Sequence, residues 1–382
     1  MFSRLGWQLR PRSAQRAFRR MASNRIRAQS AVYTETGEPS QVLRVVEHEV
    51  PNADELGDTQ AVVRMLASPI NPSDLNQIEG AYPVRAPFST RITGELSAVG
   101  GNEAVGEVLY AGAGSGLQIG SWVIPQRAGE FGTWSTHVVV DDAQVASVPL
   151  EWREGLEPLA VASVKVNPST AYRLLRDFSA LGPNDCVVQN GANSGVGRAV
   201  IQMARLMGVR TVNVVRERPD FGELAAELSG LGADLVVQDR ELGDPAVRER
   251  IGALGPVRLG LNCVGGRATL LMTKLLAKGA TLVTYGGMSR QPVTLPTSLL
   301  VFRDIRACGF WMNRWYLSQP RERRDEMWRD ILGMARRGQF QTQPMARVEW
   351  PGASRVSAEE AQRAVRDAVS WSTGKRAFVF SA

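Results

Sequence analysis

Five short apolar runs, each rich in β-branched residues, recur at intervals of about 24 residues in the middle of the chain. They are Val187–Gln189, Thr211–Val215, Leu235–Val237, Leu259–Cys263 and Thr281–Thr284. The segments between them carry helical patterns; after the first run, apolar residues from Val196 to Met207 fall on one helical stripe. Regular alternation of buried strands and helices predicts an α/β fold with a doubly wound parallel sheet, which we place at residues 166–316.

The flanking regions have a different pattern. Residues 31–165 contain short strands separated by glycine-rich turns. These predicted strands are Ala61–Leu66, Ala104–Tyr110, Ser121–Pro125 and Ser135–Val140, and Leu75–Ile78 is predicted as a short helix. For residues 317–382 the sequence pattern predicts two helices, near 321–337 and 358–370, and a final strand, Arg376–Phe380. We expect this last part to pack on the first, so that 31–165 and 317–382 form one discontinuous, mostly β domain.

The N-terminus has an unusual charge. Residues 1–30 hold eight arginines and no acid, and removing those eight charges from the net charge of +7 leaves −1 for the rest. An arginine-rich, serine-containing, acid-free segment is typical of an organelle transit peptide. We therefore predict a mitochondrial transit peptide over residues 1–30, cleaved somewhere in 20–32, with the plastid as the second destination. The alternative is a basic arm that binds nucleic acid or a membrane.

A glycine-rich turn follows the first strand of the parallel sheet, in the sequence from Gln189 to Gly197. Small residues at this place allow a close approach of the backbone to a pyrophosphate, and the next helix directs its positive end at the anion. The second strand ends at Arg216, Glu217 and Arg218, where an NAD enzyme usually carries an acid. Guanidinium groups match a 2′-phosphate, so the sequence predicts NADPH unless both arginines are merely solvated. Tyr285-Gly286-Gly287-Met288 closes another strand at the same edge.

The inventory of ligands disfavours a metal. The chain has two histidines and three cysteines without the spacing of a zinc site, and no disulfide framework is indicated. No apolar stretch reaches the length of a spanning helix. Hydride transfer without a metal calls for a hydrogen-bond donor or acid, and Tyr82, in a loop after the Leu75–Ile78 helix, is the candidate. Packing is the alternative role for this tyrosine.

Several segments carry a resemblance to a known family. They are Ser68–Asp74, Gly100–Glu103, Gln189–Asn190 with Asn193–Gly197, Asn213–Arg216, Leu261–Gly266, Thr284–Met288 and Gly309–Trp311. The chain from about residue 31 to its end resembles the mitochondrial trans-2-enoyl-CoA/acyl-carrier-protein reductases, zinc-free members of the medium-chain dehydrogenase/reductase superfamily. Asn102 stands where zinc-dependent relatives carry a ligand histidine. Gly191, Asn313 and Arg314 depart from the residues of some relatives.

The resemblance implies a Rossmann domain with a GroES-like catalytic domain, and NADPH-dependent reduction of trans-2-enoyl thioesters in mitochondrial fatty acid synthesis. It implies Tyr82 as proton donor, no metal, and cofactor contacts spread over both domains. Those contacts are Asn167, Asn193, Ser194, Gly195, Val196, Arg216, Glu217, Arg218, Tyr285, Gly286, Gly287, Met288, Phe310, Trp311, Met312, Asn313 and Lys375.

The resemblance also implies a homodimer in the mitochondrial matrix that acts on a substrate linked to acyl carrier protein or CoA. Arg303, Arg306 and Arg314 are candidates for a basic patch that meets the acidic carrier. Two other functions stay open: a quinone or alkenal reductase, and a non-enzymatic NADPH-linked RNA-binding protein. The near-neutral charge of the chain beyond residue 30 argues against nucleic acid as a partner.

Overall fold

A computed structural model describes residues 25–351, 355–370 and 374–381. The chain divides into two compact units. Unit 1 contains residues 1–150 and 345–382, and unit 2 contains residues 151–344.

Sixteen strands lie in the described residues. They are β1 (Ile26–Tyr33), β2 (Arg44–Val50), β3 (Gln60–Pro69), β4 (Ala98–Val99), β5 (Val105–Ala111), β6 (Trp122–Pro125), β7 (His137–Asp141), β8 (Val145–Val148), β9 (Cys186–Asn190), β10 (Arg210–Val215), β11 (Leu235–Gln238), β12 (Val257–Asn262), β13 (Thr281–Thr284), β14 (Arg306–Gly309), β15 (Ala346–Pro351) and β16 (Arg376–Ser381).

The same residues form thirteen α-helices and three short 3₁₀ turns. The helices are α1 (Pro39–Val42), α2 (Pro72–Ile78), α3 (Leu150–Arg153), α4 (Pro158–Ala162), α5 (Asn167–Asp177), α6 (Gly195–Leu206), α7 (Phe221–Leu231), α8 (Pro245–Gly252), α9 (Gly266–Thr273), α10 (Thr297–Arg303), α11 (Met312–Ser318), α12 (Arg321–Arg336) and α13 (Ala358–Val369). The 3₁₀ turns are Ala53–Glu55, Asp142–Gln144 and Asp239–Gly243.

Unit 2 is built on a parallel sheet of six strands in the order β11-β10-β9-β12-β13-β14. Its central strands are mostly buried, because helices cover both faces of such a sheet; β9 has no exposed residue, and β10 and β12 have one each, Arg210 and Arg258. The five predicted runs are confirmed as β9 to β13, and the structure adds β14 at the edge. The α/β class with a doubly wound sheet is therefore confirmed.

Unit 1 is mostly antiparallel. A sheet of seven strands runs in the order β15-β16-β3-β5-β6-β8, with β7 also paired to β3, and a second sheet has the order β2-β1-β4. Alternating side chains of these strands bury a core that includes Val63, Trp134, Trp350 and Phe378. The helix that sequence analysis placed at Leu75–Ile78 begins three residues earlier, at Pro72, because Asn71 and Asp74 form a reciprocal capping box.

The boundaries of the units differ from the predicted domains. Sequence analysis separated the domains at 165/166 and 316/317, whereas the structure divides the chain at 150/151 and 344/345. The hydroxyl of Tyr172 in α5 donates to Asp330 in α12 at 2.7 Å, and that of Tyr316 donates to the Lys165 carbonyl at 2.7 Å. These contacts join α12 and residues 151–165 to the helices that cover the parallel sheet. Of the predicted C-terminal part, 317–382, only residues 345–382 belong to unit 1.

The predicted transit peptide falls partly on folded chain. Residues 1–24 lie outside the described residues, but Ile26–Tyr33 forms β1, in which Ala28, Gln29 and Ser30 are fully buried. Cleavage after residue 30 would remove more than half of this strand, so the predicted segment ends too late, and a leader compatible with this fold stops by about residue 25. The described residues hold no helix of the length and apolarity needed to cross a membrane.

Candidate active site

The glycine-rich turn lies between β9, which ends at Asn190, and α6, which begins at Gly195. Ser194 is the N-cap of α6, and its hydroxyl oxygen accepts a hydrogen bond from the Gly197 amide at 3.2 Å. A Cβ at Gly197 would lie 2.4 Å from the Ala192 carbonyl oxygen, so the chain needs glycine to bring the helix this close to the turn. The first amides and the positive end of α6 are thereby presented at the carboxyl edge of the sheet.

Asn167 reaches the same turn from α5. It is the first residue of that helix, and a Cβ at Gly195 would lie 2.8 Å from its side-chain Nδ2 atom. Asn167 is not the N-cap of this helix, since Val166 takes that position. The structure therefore brings Asn167 and Asn193–Val196 together at the N-terminus of α6.

Three more predicted segments meet this edge, because all six strands run in one direction. Arg216–Arg218 follows β10, Tyr285–Met288 follows β13, and Phe310–Asn313 follows β14. Phe310 continues from its strand in register, with its amide donating to the Thr284 carbonyl at 2.9 Å, and its ring packs edge-on against Phe178 at 5.6 Å. Met312 is buried, so its side chain packs in the core.

Two of the three charged residues after β10 form ion pairs within the protein. Arg218 pairs with Asp220 at 2.5 Å, Glu217 pairs with Arg240 from the end of the neighbouring strand, and Arg216 is exposed. Arg240 thus offsets the negative charge of Glu217 beside the two arginines. The segment carries guanidinium groups where a 2′-phosphate would be met, and a cofactor phosphate would compete with Asp220 for Arg218.

The floor of the site is a polar network that sequence analysis missed. Asn262 Oδ1, fully buried at the end of β12, accepts from Asn190 Nδ2 at 2.8 Å, from Thr269 Oγ1 at 2.6 Å and from the amides of Val264 and Gly265 at 3.1 and 3.0 Å. The signal in the sequence is an asparagine at the carboxyl end of two β-branched runs. The network fixes the turns after β9 and β12 relative to each other.

The Tyr285 amide donates to the carbonyl of Asn262 in this network at 2.9 Å. The Tyr285 hydroxyl is buried beside the Cys263 thiol and the Ser194 hydroxyl. Burial raises the pKa of this hydroxyl well above its usual value, and the Cys263 thiol adds to the effect. Cys263 is also buried, which raises its pKa and disfavours a reactive thiolate. The hydroxyl of Tyr285 is thus a neutral hydrogen-bonding group at the cofactor edge.

Tyr82 and Lys375 belong to unit 1, whereas the cofactor residues described above belong to unit 2. Tyr82 is half-buried in the loop after α2, and its amide donates to the Asn76 carbonyl at 3.0 Å. Lys375 Nζ donates to Asn71 Oδ1 within a cluster that also contains Asp74 and Glu103. Burial lowers the pKa of Lys375, while the charges of Glu103 and Asp74 oppose that effect.

Asn102 is part of the same cluster. Its Nδ2 donates to Asp74 Oδ1 at 2.9 Å, and its Oδ1 accepts from the Gly129 amide at 2.8 Å. Among the described residues no group of three or more His, Cys, Asp or Glu side chains could hold a metal ion.

The residues of unit 2 fit a phosphorylated dinucleotide. The glycine turn leaves no room for added side chains, the capped α6 points its amides at the edge, and Tyr285 adds a neutral hydroxyl there. Asn167, Asn193–Val196, Arg216–Arg218, Tyr285–Met288 and Phe310–Asn313 are the residues that would hold it.

Comparisons with known proteins agree with this geometry. The family model "Zinc-binding dehydrogenase" matches residues 195–332, and the model "Alcohol dehydrogenase GroES-like domain" matches residues 57–150. The chain is similar to the mitochondrial enoyl-[acyl-carrier-protein] reductase of Xenopus tropicalis, with 42% identity over 333 residues, 86% of this chain and 90% of that protein. It is 41% identical to the human protein of the same name over 315 residues, 82% of this chain and 80% of the relative.

Solved structures support the same assignment. The Etr1p complex with NADP and crotonyl-CoA has a TM-score of 0.85 and 33% identity, and the alignment covers 93% of this chain and all of that chain. The mitochondrial 2-enoyl thioester reductase Etr1p/Etr2p heterodimer from Candida tropicalis has the same TM-score at 34% identity and the same coverage. The chain belongs to the mitochondrial enoyl-[acyl-carrier-protein] reductase family of the medium-chain dehydrogenases/reductases.

Proposed function

We propose that this protein reduces trans-2-enoyl thioesters to saturated acyl thioesters with NADPH, in mitochondrial fatty acid synthesis. The observation that carries the proposal is the cofactor edge of unit 2, where a capped glycine turn, guanidinium groups after β10 and a neutral tyrosine hydroxyl after β13 lie at the same end of one sheet. Relatives with 41–42% identity over most of the chain carry the corresponding reductase name.

NADPH, when bound, supplies the hydride that reaches the β-carbon of the substrate. The thioester carbonyl takes up the resulting charge as an enolate, and a proton then returns to the α-carbon. Asn193–Val196 and the N-terminus of α6 would hold the pyrophosphate, Arg216 and Arg218 would hold the 2′-phosphate, and the Tyr285 hydroxyl would offer a hydrogen-bonding group at the same edge. We assign the proton to the Tyr82 hydroxyl, and general acid help of this kind is worth about 10²–10⁴-fold.

The test is NADPH oxidation by Tyr82→Phe and by the native protein with crotonyl-CoA and decenoyl thioesters. We expect a loss of about a hundredfold or more in kcat with little change in NADPH binding. A folded Tyr82→Phe protein with full turnover would remove Tyr82 from the mechanism. A quinone and alkenal panel run beside the thioesters separates the alternative reductases, since preferred turnover of a quinone would overturn the substrate assignment.

The finer assignments of Lys375 and of the matrix location belong to the same proposal. Lys375 would add a cation toward the cofactor phosphates from unit 1, where two buried carboxylates balance it. Residues 1–24 would direct the chain to the mitochondrial matrix. Fusing them to a fluorescent protein tests this, and cytosolic fluorescence would contradict it.

For the assembly we propose a homodimer formed through β14. This strand ends the parallel sheet and is exposed at all four residues, and α10 just before it exposes Leu300, Val301 and Phe302. An open strand edge beside an apolar helix favours pairing with a second copy. Cys308 is the one exposed cysteine of the three, so a short bismaleimide should link two copies through it. Light scattering at monomer mass would contradict the proposal, and Cys308→Ser is the control for the cross-link.

We propose acyl carrier protein as a partner that meets Arg314, which is exposed; Arg306, the second candidate, lies in β14, the proposed dimer edge. Arg303, the third candidate, donates to the carbonyls of Lys274 and Leu276 and has a structural role as well. Charge reversal at Arg314 should raise KM for the carrier-bound substrate more than KM for the CoA form. Equal changes in the two KM values would count against the docking surface.

A further inference from the structure

The loop that carries Tyr82 is fastened to α2 on both sides of the tyrosine. Before it, the amides of Ala81 and Tyr82 donate to the Asn76 carbonyl at 2.8 and 3.0 Å. After it, the Nε2 atom of Gln77 donates to the Val84 carbonyl at 3.1 Å. One turn of helix therefore holds the two ends of a short loop.

The orientation of the Gln77 amide is fixed by a buried partner. Gln77 Oε1 accepts from Asn102 Nδ2 at 2.8 Å, and the same nitrogen donates to Asp74 Oδ1 at 2.9 Å. Asn102 Oδ1 accepts a hydrogen bond from the Gly129 amide at 2.8 Å. This bond fixes the orientation of the Asn102 side chain, so that its nitrogen is directed at Gln77. With its oxygen directed to that nitrogen, Gln77 can offer only its own N–H to the loop.

Burial makes this chain of hydrogen bonds stiff. Asp74, Gln77 and Asn102 are 0%, 3% and 6% exposed, so water cannot replace a missing partner without cost. A Cβ at Gly129 would lie 2.4 Å from Val84 Cγ1 and 3.0 Å from the Arg85 carbonyl oxygen. The Gly129 loop, which Asn102 also holds, thus closes against the segment that Gln77 fastens.

We infer that Gln77 is a positioning residue for the reduction. Its amide transmits the fixed geometry of the Asp74–Asn102 pair to the Val84 side of the loop and so holds the Tyr82 hydroxyl at the place from which it protonates the substrate. The inference rests on the proposed role of Tyr82. Because a misplacement near 1 Å can cost about a hundredfold in rate, loss of one loop fastening should appear in kcat.

The experiment compares Gln77→Met with Gln362→Met. Gln362 in α13 makes a similar clasp in unit 1: its Oε1 accepts from the Val45 amide at 2.5 Å, and its Nε2 donates to the Leu43 carbonyl at 2.9 Å. Both variants lose an amide that holds a loop, but only Gln77 holds the loop of Tyr82. Each is measured with crotonyl-CoA and NADPH for kcat, both KM values and the solvent deuterium isotope effect, and by thermal unfolding.

We expect Gln77→Met to lower kcat about 10- to 100-fold and to raise the solvent isotope effect, with KM for NADPH within about twofold of native. Gln362→Met should lower thermal stability without these changes. In a Tyr82→Phe background Gln77→Met should cost nothing further, because the group that it positions is gone. If Gln77→Met does not fold, Gln77→Asn, which is polar but one methylene shorter, takes its place.

Native kcat in a folded Gln77 variant, or the same loss with and without Tyr82, would overturn the inference while leaving the role of Tyr82 intact. Full turnover by Tyr82→Phe alone would instead overturn the proposed proton donor, and with it the role of Gln77. The two failures are thus distinguished by the single Tyr82 variant.

Discussion

His137 should make unit 1 sensitive to acid. This residue lies in β7, opposite Arg64 of β3, and its Nδ1 atom is 3.2 Å from the hydroxyl of Thr136. Burial lowers the pKa of His137 from 6.5 to about 4, with smaller contributions from the positive charges of Arg64 and His48. The folded protein therefore holds this imidazole neutral in a range where the unfolded chain protonates it.

The direction and size of the pH effect on stability follow from the difference between the pKa values of His137 in the folded and unfolded states. Between pH 6.5 and 4 the unfolded state binds the proton and the folded state does not, so the free energy of unfolding falls as the pH is lowered through this window. A shift of this size at about 1.4 kcal/mol per pH unit corresponds to about 3 kcal/mol lost by pH 4. Above pH 6.5 both states are neutral and the contribution is constant.

The assay is urea unfolding from pH 7.5 to 4.5, followed by tryptophan fluorescence, for the native protein and His137→Gln. The variant is neutral throughout, so the difference between the two unfolding free energies should shrink or change sign as the pH falls. The chain has only two histidines, so proton NMR of the imidazoles measures the pKa values directly, and His48→Gln gives the assignment. A pKa near 6.5 for His137, or parallel pH profiles for the two proteins, would refute the reasoning.

Three further changes test the site. Arg216→Ala with Arg218→Ala should weaken NADPH binding at least about tenfold by fluorescence titration and leave NADH binding unchanged; equal losses for both cofactors would contradict the 2′-phosphate assignment. Lys375→Met leaves Asp74 and Glu103 buried without their cation and should cost about 3 kcal/mol or more in urea unfolding, whereas native stability would show that the cluster is not held by charge. Asn262→Leu leaves several buried donors without an acceptor and should lower the free energy of unfolding by a similar amount, about 3 kcal/mol. The same variant should weaken NADPH binding. Normal NADPH binding by this variant would show that the network does not shape the turn.

The parallel sheet could be predicted from the sequence because its strands are buried on both faces. Val187, Val212 and Leu259 stand in apolar runs long enough to mark a strand without any knowledge of the partners. The strand β14, in contrast, contains Arg306 and is exposed, so no apolar run marks it. The boundary near 344 was missed for another reason: α12 buries an apolar face that includes Met327, Trp328 and Ile331, and a helical pattern alone does not tell which surface receives that face.

The cofactor edge could be predicted for the same reason as the sheet that carries it. The carboxyl ends of parallel strands must meet, so Asn193–Val196, Arg216–Arg218 and Tyr285–Met288 could be grouped from their places after successive strands. The partners of these residues could not be predicted, because they depend on side-chain directions between distant segments. Glu217 with Arg240 is one such pair, and Asn190 with Asn262 is another.

The buried cluster of unit 1 shows how the Tyr82 loop is supported from beneath α2. Both oxygens of Asp74 accept from N–H donors, Oδ1 from Asn102 at 2.9 Å and Oδ2 from the Asn71 amide at 2.8 Å, and Glu103 Oε2 accepts from Asn71 Nδ2 at 2.8 Å. These hydrogen bonds satisfy buried carboxylate oxygens, and Lys375 balances part of the carboxylate charge. Asn102 therefore has a structural role in this cluster, and the loop that it holds through Gln77 is the loop that carries Tyr82.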